Sequence, residues 1–339
     1  MFYGVINETC NNVDYLEIEL ENSLLFFKSL DIVQESGIIL QEGAWETFKT
    51  KIKELWERFK NWVSSIWEKI KAIFTKKKST IKKIKEENKK IKSSKDKVNE
   101  SFSYIKEESE DSEEPNIKEL KWYGRRTRKG GSSFANYILS LYDFGDKCLD
   151  PATLKDDESF NKFSNDAETC KNKLDDYGTN LFFDQKTYKF KNEDMLTLDK
   201  IVKDLGDEIE KDSEDLDTDF NYANDLLEGS EEKIPIIEKD IFNIIKNNSD
   251  SEGNFVTIDG HEIPLSRFNQ ACALSINSLK TAISFLTKAI TIINGNMGYN
   301  LRAMIQLSKI ILVYGSDSEN RKIDIASADN KYSEEHREI

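Results

Sequence analysis

Two histidines, His261 and His336, are the whole imidazole supply of this 339-residue chain. Its four cysteines, Cys10, Cys148, Cys170 and Cys272, stand far apart with no C-x-x-C pair. Catalytic triads and metal sites built on two or more histidines are thereby nearly excluded. The cysteine spacing argues against both a zinc site and a disulfide scaffold. His261 follows Asp259-Gly260 with no second ligand nearby and reads as a surface residue. Carboxylates are abundant, 63 Asp+Glu against 49 Lys+Arg, so pairs such as Asp156/Asp157 or Asp175/Asp176 carry no information about acid–base catalysis. The acidic run Lys211–Phe220 lacks the glycine and terminal glutamate of an EF-hand loop. No G-x-S-x-G, G-x-G-x-x-G or H-E-x-x-H occurs. The residue inventory predicts a non-enzymatic chain with no cofactor and no metal.

Binding chemistry has better candidates. Trp122 through Gly131 holds Arg125, Arg126, Arg128 and Lys129 beside glycines, a compact basic loop able to cradle phosphate or nucleic acid, although it lacks the Lys-Ser/Thr ending of a P-loop. A plain exposed turn is the alternative. The strongest periodic signal runs from Trp45 to Phe74. Trp45, Phe48, Ile52, Leu55, Trp56, Phe59, Trp62, Val63, Ile66, Trp67, Ile70, Ile73 and Phe74 fall within an arc of roughly 140° at a helical ~100° per residue. Lys49, Lys53, Lys60 and Lys71 flank that arc, where their methylenes cover apolar surface and their ammonium groups reach water. Such a helix suits an anionic membrane surface, and it equally suits docking of the stripe on a partner helix or on the rest of the fold. Periodicity alone does not separate the two.

These candidates sit in a chain whose charge is blocked. Residues 1–43 hold one base and eight acids, and residues 44–97 hold eighteen bases and seven acids. Residues 98–339 hold thirty and forty-eight, completing the net charge of −14. Blocks of opposite sign suggest parts with different partners, or parts that pair with each other. The expected layout is an acidic helical piece over 1–43, with its rhythm in Val13, Leu16, Leu20, Leu24, Phe27 and Leu30, then a basic aromatic helix over 44–97. An acidic linker over 98–116, a mostly helical acidic domain over 117–315 and a polar tail over 316–339 follow.

Within that domain, helical rhythms stand at about 133–147, 159–176, 194–212, 217–228 and 234–247. Short β signals interrupt them at Leu181–Phe190 and Phe255–Ile263, the second with Asp259-Gly260 as a type I′ hairpin turn. The apolar stretch 266–315 reads as a helical hairpin broken at Asn294–Gly298. Its small residues Ala271, Ala273, Ala282 and Ala289 permit close packing and make 266–313 a candidate homo-oligomer surface. The fold class expected is mainly α, an N-terminal amphipathic helical arm plus a mostly helical C-terminal domain with one or two short β-hairpins. With no secretory signal and no uncharged apolar run of about 20 residues, a soluble product made in a reducing cytosol is expected.

Leu40-Gln41-Glu42-Gly43, at the charge reversal, resembles the Leu/Ile-x-Glu|Gly/Ala cleavage signal of prohead proteases in large tailed bacteriophages. Leu226-Leu227-Glu228-Gly229 matches as well, and Val33-Gln34-Glu35-Ser36 is a near-match. An acidic head piece, then Glu-Gly, then the Trp/Lys-rich helix, with the alanine-bearing segment 266–313 behind it, is similar in layout to internal head proteins of such phages. The resemblance implies a structural virion protein, made in the host cytoplasm and packaged inside the head. Its N-terminal piece would be removed by the protease, with Leu40, Glu42 and Gly43 as the processing site. Its partners would be other capsid or core proteins, with DNA or an anionic membrane contacted through residues 44–97. A membrane-active protein acting through helix 45–74, and a non-viral interaction protein whose charge blocks pair internally, are the alternatives.

Overall fold

The computed structural model describes residues 16–25, 44–94, 101–104, 119–125, 131–177, 183–191, 194–248 and 255–315. The fold is mainly α. Helix α1 covers 16–25, α2 is Ala44–Ser93, α3 Gly131–Lys147, α4 Pro151–Leu154, α5 Asp157–Tyr177, α6 Leu198–Ile201, α7 Asp207–Asn247 and α8 Leu265–Gly315. A π-helical segment, Val202–Gly206, joins α6 to α7. Three two-stranded antiparallel sheets complete the described elements: β1 (Ser101–Tyr104) with β4 (Asp194–Thr197), β2 (Glu119–Arg125) with β3 (Phe183–Lys189), and β5 (Phe255–Ile258) with β6 (His261–Pro264). Among the described residues, no helix is long and apolar enough to cross a membrane.

The chain forms two compact units. Unit 1 takes residues 1–71, 129–179 and 223–289, and unit 2 takes 72–128, 180–222 and 290–339. Helices α2, α7 and α8 each contribute one stretch to each unit. In unit 1, Ile52, Leu55, Trp56, Phe59 and Trp62 of α2 are buried, as are Phe268, Ile276, Leu279, Ile283 and Leu286 of α8. The rings of Phe48 and Phe268 lie 5.6 Å apart, which places the two helices side by side. Unit 2 has its own core of Ile84, Ile91, Leu120, Trp122, Leu205, Ile209, Leu301, Met304, Leu307 and Ile311.

Local signals carried over well where partners are close in sequence. The 50 residues of α2 contain neither glycine nor proline, with Glu46 in the first turn and Lys90 and Lys92 in the last, as the helix dipole favours. Helix α2 thus extends through the basic stretch after Phe74. At the β5–β6 turn Asp259 and Gly260 have φ of 47° and 80°, the two positive values a type I′ turn requires. His261 is exposed and pairs with Ile258 in the ladder.

Several expectations are corrected. The hairpin foreseen in 266–313 is a single 51-residue helix, with no break at Asn294–Gly298. Ile293, Met297, Leu301 and Met304 keep the buried stripe in phase across the glycines, so packing outweighs their poor propensity. Nothing stands within 4 Å of a Cβ added at Gly295 or Gly298. Each glycine-to-alanine change there is expected to stabilise the chain by about 0.5–1 kcal/mol, read as a shift in the urea midpoint.

The rhythms at 217–228 and 234–247 likewise belong to one helix, α7, which runs through Pro235. Pro235 is exposed between the buried Ile234 and Ile237, so the apolar face continues past it. Pro235→Ala restores a helical N–H and removes a clash with the preceding turn. It is expected to add about 1–2 kcal/mol and to raise the thermal midpoint.

Among the described residues β5–β6 alone is a hairpin; the other two sheets join strands far apart in sequence. Ser101–Tyr104, inside the stretch expected to be an acidic linker, is strand β1. Trp122–Arg125, expected in a loop, belongs to β2, with Leu120, Trp122 and Gly124 facing inward in strict alternation.

Candidate functional site: the aromatic helix and its acidic counterpart

Helix α2 opens with an 11-residue repeat. Trp45-Glu46-x-Phe48-Lys49-x-x-Ile52 recurs as Trp56-Glu57-x-Phe59-Lys60-x-x-Val63 and as Trp67-Glu68-x-Ile70-Lys71-x-x-Phe74. Eleven residues make three turns at 3.67 per turn, so equivalent positions share one face. The glutamate and lysine of each copy pair with each other: Glu46 with Lys49, Glu57 with Lys60 at 2.9 Å, and Glu68 with Lys71 at 2.9 Å. The ring positions point the other way. Trp45, Phe48, Trp56, Phe59 and Trp62 are buried, and Trp67 and Phe74 half-buried. The stripe that suggested a membrane or partner surface is therefore covered inside the chain's own fold. Lys49 and Lys60 are half-buried, Lys53 and Lys71 exposed. Lys60 also reaches Glu238 on α7 at 2.8 Å; the bonds to Glu238 and Glu57 hold its ammonium above the ordinary lysine value.

The buried indoles of this helix are used for volume and not for hydrogen bonding. The Nε1 groups of Trp45, Trp56, Trp62 and Trp67 are enclosed without an acceptor. A buried donor without a partner costs about 1–3 kcal/mol, which burial of a large ring offsets.

In unit 2 the basic second half of α2 meets the acidic start of α7. Lys77 pairs with Asp217 at 2.6 Å and donates to Asn221 at 2.8 Å. Lys85 pairs with Glu214 at 2.8 Å and Lys92 with Asp207 at 2.6 Å, while Asn88 donates to Asp207 at 3.0 Å and to Glu210. Numbers rise on one helix as they fall on the other, so the ladder is antiparallel. Lys77 is almost fully buried, its ammonium 4.9 Å and 4.6 Å from the ring centres of Phe74 and Phe220. Glu214 and Asp217 of the run Lys211–Phe220 thus serve the ladder, together with Asp207 and Glu210 before it.

The ladder has a defined pH response. Hydrogen bonds to Glu214 and Asp207 raise the Lys85 and Lys92 ammonium groups above 10.5. Burial pushes the Asp207 carboxyl up, but bonds from Lys92 and Asn88 outweigh it and leave the group below its ordinary value. A raised lysine contributes stability below its unfolded value, lost as pH rises through the folded one. A lowered carboxyl contributes above its unfolded value, lost as pH falls through the folded one. Hydrogen exchange of residues 207–221 is expected to be slow and level from about pH 5 to 9 after correction for intrinsic rate, and faster beyond both ends. Because the groups are largely exposed, 1 M salt should accelerate it only modestly.

Side chains of α7 and α8 tie β2 to the helices. Asp212 of α7 accepts the Trp122 indole N–H at 2.8 Å and pairs with Lys186 of β3 at 2.8 Å. Glu208 takes Lys186 as well, and although desolvation lowers the lysine, the two carboxylates raise it on balance. Asn300 of α8 accepts from the Tyr123 N–H at 2.7 Å and donates to the Tyr123 carbonyl at 2.9 Å. Arg125, a candidate phosphate contact, is held by Asp219 and, at 3.8 Å, by Asp215. Its guanidinium is raised chiefly by the Asp219 bond. Arg126, Arg128 and Lys129 lie outside the described residues, as do Leu40, Glu42 and Gly43.

Three thiols are described. Burial pushes Cys148 up to about 12 and Cys272 well above its ordinary value, and raises Cys170 too, so none is poised as a thiolate. Among the described residues no three His, Cys, Asp or Glu side chains are placed to hold a metal ion. Both leave a signal in the sequence: the ladder as charge runs of opposite sign about 115–140 residues apart, the repeat as self-similarity at an 11-residue period. No family model matches the chain, and comparisons with curated proteins and with solved structures return no match.

Proposed function

We propose that this chain is a non-enzymatic internal structural protein of a large tailed bacteriophage head, with its N-terminal piece removed after Glu42 during maturation. The observation that carries this reading is the position of Leu40-Gln41-Glu42-Gly43 immediately before Ala44, the first residue of α2. A cut there separates the acidic piece and leaves the long helix whole. The second match, Leu226-Leu227-Glu228-Gly229, lies within α7 with Leu227 buried, so its backbone is not offered to a protease in the folded chain. The partners in this reading are other capsid or core proteins and the prohead protease. Internal neutralisation of Lys77, Lys85 and Lys92 favours protein partners over DNA, whose binding needs free cations. Intact mass and N-terminal sequencing of the protein from its native source tests the reading: a mature terminus at Gly43 is expected, and a chain still beginning at Met1 overturns it.

The antiparallel ladder favours one second reading, a non-viral interaction protein whose opposite charge blocks serve its own folding. That reading requires the uncleaved chain, so the same measurement decides between the two. A lipid role for residues 45–74 would require the buried tryptophans to leave the fold. Leakage from anionic vesicles by the folded chain is accordingly expected to be absent.

A further inference from the structure

Lys280 sits in the first third of α8, only 8% exposed, among the fully buried Ile276, Leu279, Ala282 and Ile283. A cation so placed needs a counter-charge. Among the described residues both of its carboxylate partners belong to α1: Glu21 at 2.8 Å and Glu17 at 3.3 Å. The rest of that helix face is apolar, with Leu20 fully buried and Leu24 at 6%. Glu17, Leu20, Glu21 and Leu24 are spaced i, i+3, i+4 and i+7, one stripe of a helix. On a neighbouring stretch Arg58 of α2 donates to Ser23 at 2.9 Å. Unit 1 thus seats α1 through one acidic amphipathic stripe, Glu-x-x-Leu-Glu-x-x-Leu, with a buried lysine paired to the two glutamates.

We propose that this groove is a docking surface for an acidic amphipathic helix of a partner protein, and that residues 16–25 occupy it until displaced. Charge complementarity argues for the occupant: a basic or neutral helix would leave Lys280 unpaired in an apolar surface. Ile18 and Leu25, on the outer face of α1, are 58% and 65% exposed, so the helix is attached by one stripe only. Covalent tethering gives residues 16–25 a high effective concentration, so an untethered helix competes poorly with the intact chain. Release of the head piece would remove that advantage. Opening in the mature particle rests on the proposed cleavage; the groove and its preference do not.

The test uses uncleaved chain, so its result is independent of whether Glu42 is ever cut. In Leu20→Asp/Leu24→Asp the resident helix is disabled without touching the groove; Glu17→Lys/Glu21→Lys does so by charge if the first variant loses far-UV helicity. Two labelled peptides serve as probes in fluorescence anisotropy: residues 13–28 of this chain, and an unrelated helix carrying Glu-x-x-Leu-Glu-x-x-Leu. Both are expected to bind the opened chain at least tenfold more tightly than wild type, and Lys280→Glu in the opened chain is expected to weaken both at least tenfold. Binding of residues 13–28 alone would mean that the groove serves a second copy of this chain and would overturn the partner proposal. Equal, Lys280-independent binding to opened and wild-type chains would overturn the groove itself.

Discussion

Trp56→Ala is expected to cost unit 1 about 3–5 kcal/mol, the range for deleting a fully buried large aromatic. Trp56 is 0% exposed and neighbours the Phe59 ring at 5.5 Å. Total stabilities of about 5–15 kcal/mol leave little after such a loss, so the urea midpoint followed by circular dichroism should fall sharply. The repeat supplies its own control. Trp67 is the equivalent residue in the third copy but only half-buried, and Trp67→Ala should cost about 1–2 kcal/mol. Equal losses at the two positions would mean that the repeat, and not burial, sets the energetics. Trp56→Phe tests the unpaired indole N–H separately. With no hydrogen bond to lose, relief of the partnerless donor, about 1–3 kcal/mol, should offset the missing volume and leave the change near neutral.

What could be read from the sequence followed the range of the interaction. The stripe from Trp45 to Phe74 and the Asp259-Gly260 turn depend on residues a few positions apart, and both stand where periodicity and turn chemistry put them. Strand β2 was hidden because its partner β3 lies some sixty residues on, with three helices between. Its Gly124-Arg125 looked like a loop when the missing Cβ instead admits Asp212. Asn294–Gly298 and Pro235 were overruled by buried stripes that kept phase on both sides of them. The charge blocks were visible, but their pairing was not. Acids stand on both sides of residues 44–97 in the sequence, and Lys77, Lys85 and Lys92 take theirs from α7, while the head helix gives its glutamates to Lys280. Charge counts identify sign and amount, and only the packing of apolar faces decides which blocks meet.

Asp212→Ala is expected to cost unit 2 about 2–3 kcal/mol, because it strands a buried donor that now bonds to a charged acceptor. The carboxylate receives the Trp122 indole, pairs with Lys186 and closes over Gly124, where an added Cβ would come within 2.6 Å of Oδ2. Lys186 keeps Glu208, so the orphan is Trp122, which is 4% exposed. Trp122→Phe should therefore cost more than Trp56→Phe although both remove the same N–H. Gly124→Ala carries the argument furthest. Alone it must dislodge Asp212 from both partners; once Asp212→Ala has emptied that space, the new methyl meets no carboxylate. The double variant should be less destabilised than the two single losses added together, by about 1–3 kcal/mol in a denaturation cycle. Strict additivity would mean that Gly124 and Asp212 act separately, and that strand β2 is seated on α7 by something other than this carboxylate.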